Sequence, residues 1–373
     1  MLSVSIQSSV SQTGTESVKM VSVTTPTLAD VARAVGVSRT TVSNAYNRPD
    51  QLSDDLRARI LAAAESLGYP GPDPVARGLR RGRTGVVGLV YDEPLSYMFT
   101  DPAAVLFVTG LANVLDEAGI SLALLPRLPI DDAGAAVLAR AAVDGLISFC
   151  EATDDRRVAA FQARRLPFVT VDSGTTRAPC RVGVDDRGGM RTATEHLLDL
   201  GHRRLGVAAL PLTHVPDGSD PARALAEGTT RPARLAGIRD AVEAAGLDWD
   251  AVPVAAVPSV GSAREAGRIE AALLLDRAPR PTAVVAMSDE MAAGVLEVAA
   301  ERGIDVPREL SVVGFDDIPT ARTTVPTLTT VRQPLVAKGE EAARLLLAGA
   351  PDTVVELPTE LVVRASTAPA PRD

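Results

Sequence analysis

Arg39, Thr40 and Asn44 bring a guanidinium fork, a hydroxyl and an amide within one short stretch of chain, SRTTVSNAYN. This is base-reading chemistry: arginine pairs bidentately with guanine and asparagine with adenine, and threonine bonds a base edge or meets a thymine methyl. Ser38, Thr41 and Ser43 add hydroxyls suited to phosphate contact or local capping. Enzyme chemistry finds no comparable set. No nucleophile stands beside a base at working spacing, and GVVGLV lacks the further glycines of a dinucleotide fingerprint. His196, His202 and His214 are scattered, the first two falling in a helix and its following turn, where packing or capping is the expected role. Cys150 and Cys180 lack the paired spacing of a zinc site or disulfide framework, and read as buried reduced thiols. The expectation is a chain that is not an enzyme and holds no metal or cofactor.

Those residues need an element to present them. In TLADVARAVGVSRTTVSNAYN, Leu28, Val31, Ala32 and Val35 form a helical stripe, with Thr27 as N-cap and Asp30 at the positive helix end. Gly36 ends that helix and Ser38 caps a second, running to about Tyr46, whose Val42 and Ala45 face inward. Two short helices about a glycine turn predict a helix-turn-helix, the second helix lying in the major groove. A third helix is expected over Ser53 to Leu67, with Leu56, Ile60, Ala63, Ala64 and Leu67 as its packing stripe.

Charge supports this placement. The net charge is −9, yet Thr27 to Thr84 holds nine arginines against six acids. A basic head on an acidic body suits a phosphate anchor joined to a part with another task. Residues 1–26 read as a disordered leader lacking the basic-then-apolar order of a secretion signal, and no window is apolar for long enough to span a bilayer, so a cytoplasmic location is expected.

Pro70, Pro72 and Pro74 then stop any helix and mark a boundary after residue 72, with a short helix and linker over 73–84. TLADVARAVGVSRTTVSNAYN, the following LGY and the VARGL segment together resemble the lactose/galactose repressor family of bacterial regulators. The resemblance implies a hinge helix that enters the minor groove, with Leu79 as the wedge that kinks DNA and Arg77 beside it. Asp73 stands where the family often has Asn or Ser, and Gly78 weakens the helix by roughly 1 kcal/mol relative to Ala. The full DNA-contacting set is thus Thr27, Ser38, Arg39, Thr40, Thr41, Ser43, Asn44, Arg77 and Leu79.

From Gly85 onward β-branched runs such as GVVGLVY, DGLISF, TAVVAMS and ELSVVGF alternate with amphipathic helices, about ten strands in all. This rhythm predicts α/β architecture, doubly wound parallel sheets in two lobes facing across a cleft. The resemblance continues to about Thr367 through GVDDRGGMRTATEHLLDLGHRRLG, RLAGIRDAVEAAGL and PTLTTVRQPLVAKGEEAARLLL. It implies a periplasmic-binding-protein-like effector and dimerisation domain over 85–367, with crossings between lobes near residues 185 and 332 and a tail over 368–373. By the same resemblance, Arg234 of RLAGI and Asp316 of GFDD contact the effector, their fork and carboxylate able to clamp sugar hydroxyls or the edge of a heterocycle. Ser288 stands where many members have Asn, and Asp185 contacts ligand or braces the crossing. DEPLSYMFTDP replaces the usual first-strand loop, so Ser96, Tyr97, Met98 and Phe99 are expected on the cleft wall.

The resulting expectation is a DNA-binding transcriptional repressor controlled by a small molecule, a sugar above all, acting as a homodimer on a palindromic operator. The competing class is a solute-binding protein with the same two-lobed core and no DNA role. A tetramer is not expected, since ASTAPAPRD offers no apolar heptads.

Overall fold

A computed structural model of the chain describes residues 26–71, 83–91, 93–126, 132–150, 159, 162–172, 178, 180–210, 230–258 and 261–372. The hinge helix expected after residue 72, with Arg77 and Leu79, lies outside the described residues, as does His214. The chain forms two compact units that meet in sequence between Arg83 and Thr84.

The first unit is three helices. α1 (Leu28–Val35) is anchored by Asp30, whose carboxylate accepts from the Thr27 amide at 2.9 Å and the Thr27 hydroxyl at 2.7 Å. Gly36 closes α1 at φ 75, a left-handed conformation that costs a side-chain-bearing residue. α2 (Arg39–Asn47) starts at Ser38, whose Oγ accepts from the Thr41 amide at 3.0 Å. α3 (Asp54–Leu67) has Ser53 as its N-cap. Val31, Ala32, Val42, Ala45, Ile60 and Ala64 meet at the centre. Burying a Val or Ile contributes roughly 1.5–3 kcal/mol, so this small core is what fixes α2 against its neighbours.

The second unit contains two six-stranded sheets. The first runs β11-β5-β4-β3-β1-β2, all parallel, from β1 (Val86–Tyr91), β2 (Ser121–Leu124), β3 (Gly145–Phe149), β4 (Phe168–Val171), β5 (Cys180–Val184) and β11 (Thr353–Leu357). The second runs β12-β10-β9-β8-β6-β7, from β6 (Leu205–Ala208), β7 (Val254–Ala255), β8 (Ala283–Ala286), β9 (Ser311–Asp316), β10 (Thr329–Arg332) and β12 (Glu360–Val362). Only its β10–β12 pair is antiparallel. Central strands such as β3, β4, β8 and β9 are buried throughout, which is why they read as continuous apolar runs instead of alternating ones. The described residues hold twelve strands against the ten expected. The two shortest, β7 and β12, are sheet edges of two or three residues and leave no periodicity to read.

Helices cover both sheets. In the first lobe α4 (Leu95–Met98), α5 (Pro102–Glu117) and α6 (Asp132–Arg140) precede β4, and α12 (Leu335–Ala348) returns from the second lobe. α5 and α12 touch backbone to backbone: a Cβ on Gly110 would stand 2.0 Å from the Val336 carbonyl oxygen. The second lobe carries α7 (Asp186–Asp199), α8 (Thr230–Ala244), α9 (Ala263–Leu275), α10 (Asp289–Glu301) and the short α11 (Thr320–Thr323). The chain passes from the first sheet to the second at Asp185, returns after Arg332, and crosses again between Leu357 and Glu360, a third passage that the sequence did not announce.

Candidate nucleic-acid interface and effector seat

On α2, Arg39 and Thr40 are exposed, and neither side chain has a partner among the described residues. Ser38 and Thr41 are already occupied, their hydroxyls 2.8 Å apart and Ser38 capping the helix. Thr27 is likewise held by Asp30, whose carboxyl these Thr27 bonds keep below its usual range. Ser43 accepts from the Asn47 amide through its carbonyl at 2.9 Å, and Asn44 reaches Gln51 at 3.4 Å, a long bond that is easily exchanged. The Arg57 Nε donates to the Ala45 carbonyl at 3.3 Å and braces α3 against α2.

In the second unit, four of the five described non-glycine residues at positive φ stand where strands end, the fifth being Arg165 ahead of β4. Cys150 (φ 54) follows β3, Asp172 (φ 49) follows β4, and Asp316 (φ 121) and Asp317 (φ 52) finish β9. Such strain persists only where the surroundings over-determine it, and it clusters at binding sites. The carboxyl ends of parallel strands are also where open α/β sheets hold ligands.

Arg234 is the centre of this edge. A Cβ on Gly237 would stand 2.0 Å from the Arg187 carbonyl oxygen, so α8 presses closely on α7 and brings Arg234 against Asp186. Arg234 Nε donates to Asp186 at 2.8 Å, Nη1 donates to the Met287 carbonyl, and the guanidinium lies 3.7 Å over the Phe315 ring. Its Nη2 stands 3.6 Å from Asp316 Oδ1, too far for a hydrogen bond though near enough for charge attraction. A donor and an acceptor are thus presented side by side with capacity left for a third group.

The two adjacent aspartates have opposite electrostatics. Burial pushes the Asp316 carboxyl up to about 7, against the pull of Arg234 and a 2.6 Å hydrogen bond from Gln333. Burial also opposes ionisation of Asp317, but hydrogen bonds from Arg364 at 2.5 Å and Arg332 at 2.7 Å hold it below the ordinary range. One carboxyl therefore titrates near neutrality and the other is locked as an anion. Asp289 supports both: it accepts from the Ile318 amide at 2.9 Å and from the Thr330 hydroxyl at 2.5 Å, holding the turn that carries them.

The remaining sequence candidates separate. Tyr97 is half-buried, its hydroxyl facing the Ala263 amide at the start of α9, and burial pushes its phenol well above the usual range. Phe99 is 69% exposed. Met98, expected on the cleft wall, is instead buried in the first lobe's core, because a four-residue helix must turn one side chain inward. Ser288 caps α10, accepting from the Met291 amide at 3.3 Å, and Asp185 caps α7, accepting from Gly188 at 2.8 Å. A cavity of about 280 Å³ opens beside this first crossing, lined by Thr170, Asp172, Asp185, Asp186, Thr230 and Glu356 among others.

Asp186, Gln333 and Lys338 were missed. A readable signal existed for two of them: each is a charge standing on the apolar stripe of its helix, Asp186 with Gly189, Met190 and Ala193, and Lys338 with Leu335, Gly339 and Ala342. Gln333 sits between elements and carries no periodic signal. Among the described residues no group of His, Cys, Asp and Glu could hold a metal ion, and no helix is long and apolar enough to cross a membrane.

A three-helix head that presents an arginine-bearing second helix, followed by a two-sheet body with a buried polar seat at its strand ends, defines a ligand-controlled DNA-binding regulator. Comparison with known proteins gives the family. Residues 27–71 match the bacterial regulatory proteins of the lacI family, and residues 194–367 match the periplasmic binding protein-like domain. The HTH-type transcriptional regulator Rv3575c of Mycobacterium tuberculosis is 42% identical over 365 residues, 92% of this chain and 97% of that protein. Among solved structures, the transcriptional regulator CelR in complex with cellobiose is 32% identical, with a TM-score of 0.64 over 91% of this chain and 99% of that one. The lac repressor dimer bound to operator and the anti-inducer ONPF is 26% identical, with a TM-score of 0.73 over 92% and 99%. The chain belongs to the lacI family of bacterial regulatory proteins. It is a transcriptional regulator and not a solute-binding protein.

Proposed function

We propose that this regulator binds a palindromic operator as a cytoplasmic homodimer, without catalysis, and that a sugar or related polyol releases it by seating against Arg234 and Asp316. The observation that carries the reading is the 3.6 Å gap between those two groups. A hydroxyl placed there donates to the carboxylate and accepts from the guanidinium at once, and adjacent hydroxyls repeat the pattern. The relatives agree in kind, since CelR was solved with cellobiose and a lacI-family regulator of Enterococcus faecium with ribose. Tyr97 and Phe99 supply the wall, while Asp185 and Ser288 hold the backbone that frames the seat.

On the DNA side Arg39, Thr40 and Asn44 read base edges, and Thr27, Ser38, Thr41 and Ser43 order the helix ends near phosphates. Arg77 and Leu79 enter the minor groove, as the family resemblance implies. A melting screen against sugars and polyols, followed by operator retardation at several salt concentrations with each hit, tests the reading. The expected result is a hit that lowers operator affinity. A chain that retards duplex DNA without sequence preference, or that no polyol stabilises, would overturn it.

A further inference from the structure

Lys338 has no exposure to solvent. Every other stripe position of α12, from Leu335 through Gly339, Ala342 and Ala343 to Leu346, is apolar or glycine. A buried ammonium is costly unless paired and hydrogen-bonded, and replacing such a pair by apolar groups is often neutral or stabilising. Packing and stability therefore give no reason for a lysine here.

Its partners give one. Lys338 Nζ donates to Asp172 at 2.6 Å and to Gln333 Oε1 at 2.5 Å. Gln333, in the second crossing, donates through Nε2 to Asp316 at 2.6 Å, and Asp316 faces Arg234, which pairs with Asp186. Asp172 and Lys338 belong to the first lobe, and Asp316, Arg234 and Asp186 to the second. The amide between them is fixed from the lysine side: an ammonium only donates, so it must meet Gln333 Oε1, and the reversed amide would set donor against donor at Lys338.

We propose that Lys338 sets the register of the two lobes. By fixing the Gln333 amide it ties the position of Asp316 in the effector seat to that of Asp172 in the opposite lobe. The consequence for operator control rests on the function proposed above: a ligand hydroxyl competing for Asp316 loosens Gln333, and the change reaches the first lobe through Lys338.

The test measures lobe separation directly in the full chain, without effector or DNA. Spin labels go at exposed Asp116, at the end of α5, and exposed Ala244, at the end of α8, in a Cys150→Ala, Cys180→Ala background diluted with unlabelled protein. The parent is expected to give one narrow distance. Lys338→Met is expected to add a second population, and so is Lys338→Met with Asp172→Asn, which leaves no orphan charge and so protects folding. Leu115→Ala, which opens a void in the first lobe's core, should lower the melting temperature and leave the distance unchanged. If both Lys338 variants keep the parent's single distance, Lys338 is a packing residue and the proposal fails. That failure would leave the operator and effector reading standing, and a failed polyol screen would leave this one standing.

Discussion

The recognition helix and the Arg234 seat prepare for their ligands in opposite ways. On α2, Arg39 and Thr40 are exposed and uncommitted, and the cost of holding them is carried elsewhere, in the caps at Ser38 and Ser53 and in a six-residue core. In the seat each charge is committed before any ligand arrives: Arg234 to Asp186, Met287 and Phe315, and Asp316 to Gln333. A DNA reader keeps its side chains wet because phosphates and bases bring their own charge and hydrogen bonds. A seat for a neutral polyol must hold its donors and acceptors against burial, so they hold one another.

That difference predicts where substitution hurts. The largest effect on stability is expected for Arg234→Met, which leaves Asp186 buried without its partner at a cost of about 3–5 kcal/mol, seen as a lower denaturant midpoint. A loss under about 1 kcal/mol would show that Asp186 is served by water and that the seat is not mutually held. Arg39→Ala should leave the melting temperature unmoved and cost about 1–3 kcal/mol against the preferred operator, relaxing preference at one base pair. Unchanged preference would remove α2 as the reading element.

How much of each region the sequence disclosed follows from the same contrast. The head is local: caps at Thr27 and Ser38 and the helical stripes all lie within about one helix of the residues they position, so its helices and its exposed Arg39 were legible. The body's alternation gave the two parallel sheets, because buried central strands are long apolar runs. The seat was legible only through its family resemblance at Arg234 and Asp316. Its real neighbours are distant in sequence: Asp186 lies 48 residues from Arg234, and Asp172 lies 166 from Lys338. The one local trace is a charge standing on an apolar stripe, as at Asp186 and Lys338. Sequence spacing could not show that Ser288, a candidate effector contact, and Asp185, read as either a ligand contact or a brace at the crossing, hold helix ends in the unliganded chain.

Titration sharpens the contrast further. Asp316 is raised from 3.8 to about 7, so the folded seat binds a proton that the unfolded chain releases. Its contribution to stability is complete below about pH 4 and is lost as pH rises through about 7. Melting of the effector-free chain should therefore fall from about pH 5 to about pH 8, and Asp316→Asn should lessen that decline, the remainder coming from other buried carboxyls such as Glu270, which burial pushes up to about 9. An equal decline in the variant would place the titrating group elsewhere. The smallest effect is expected at Ser288→Ala, where a lost helix cap costs about 1 kcal/mol of stability and leaves polyol preference intact. A changed preference would make Ser288 a ligand contact.

The coupling of seat to operator is tested most directly by one ratio, operator affinity without effector over operator affinity with it, measured for the parent and for Asp316→Ala using the strongest hit of the polyol screen. Coupling between two sites is typically about 1–3 kcal/mol, so the parent ratio should lie at roughly 5–150. In Asp316→Ala it should collapse to about 1, because no ligand can then act through that carboxyl. A variant that keeps the parent's ratio would contradict the account, because control would then reach DNA without passing through Asp316.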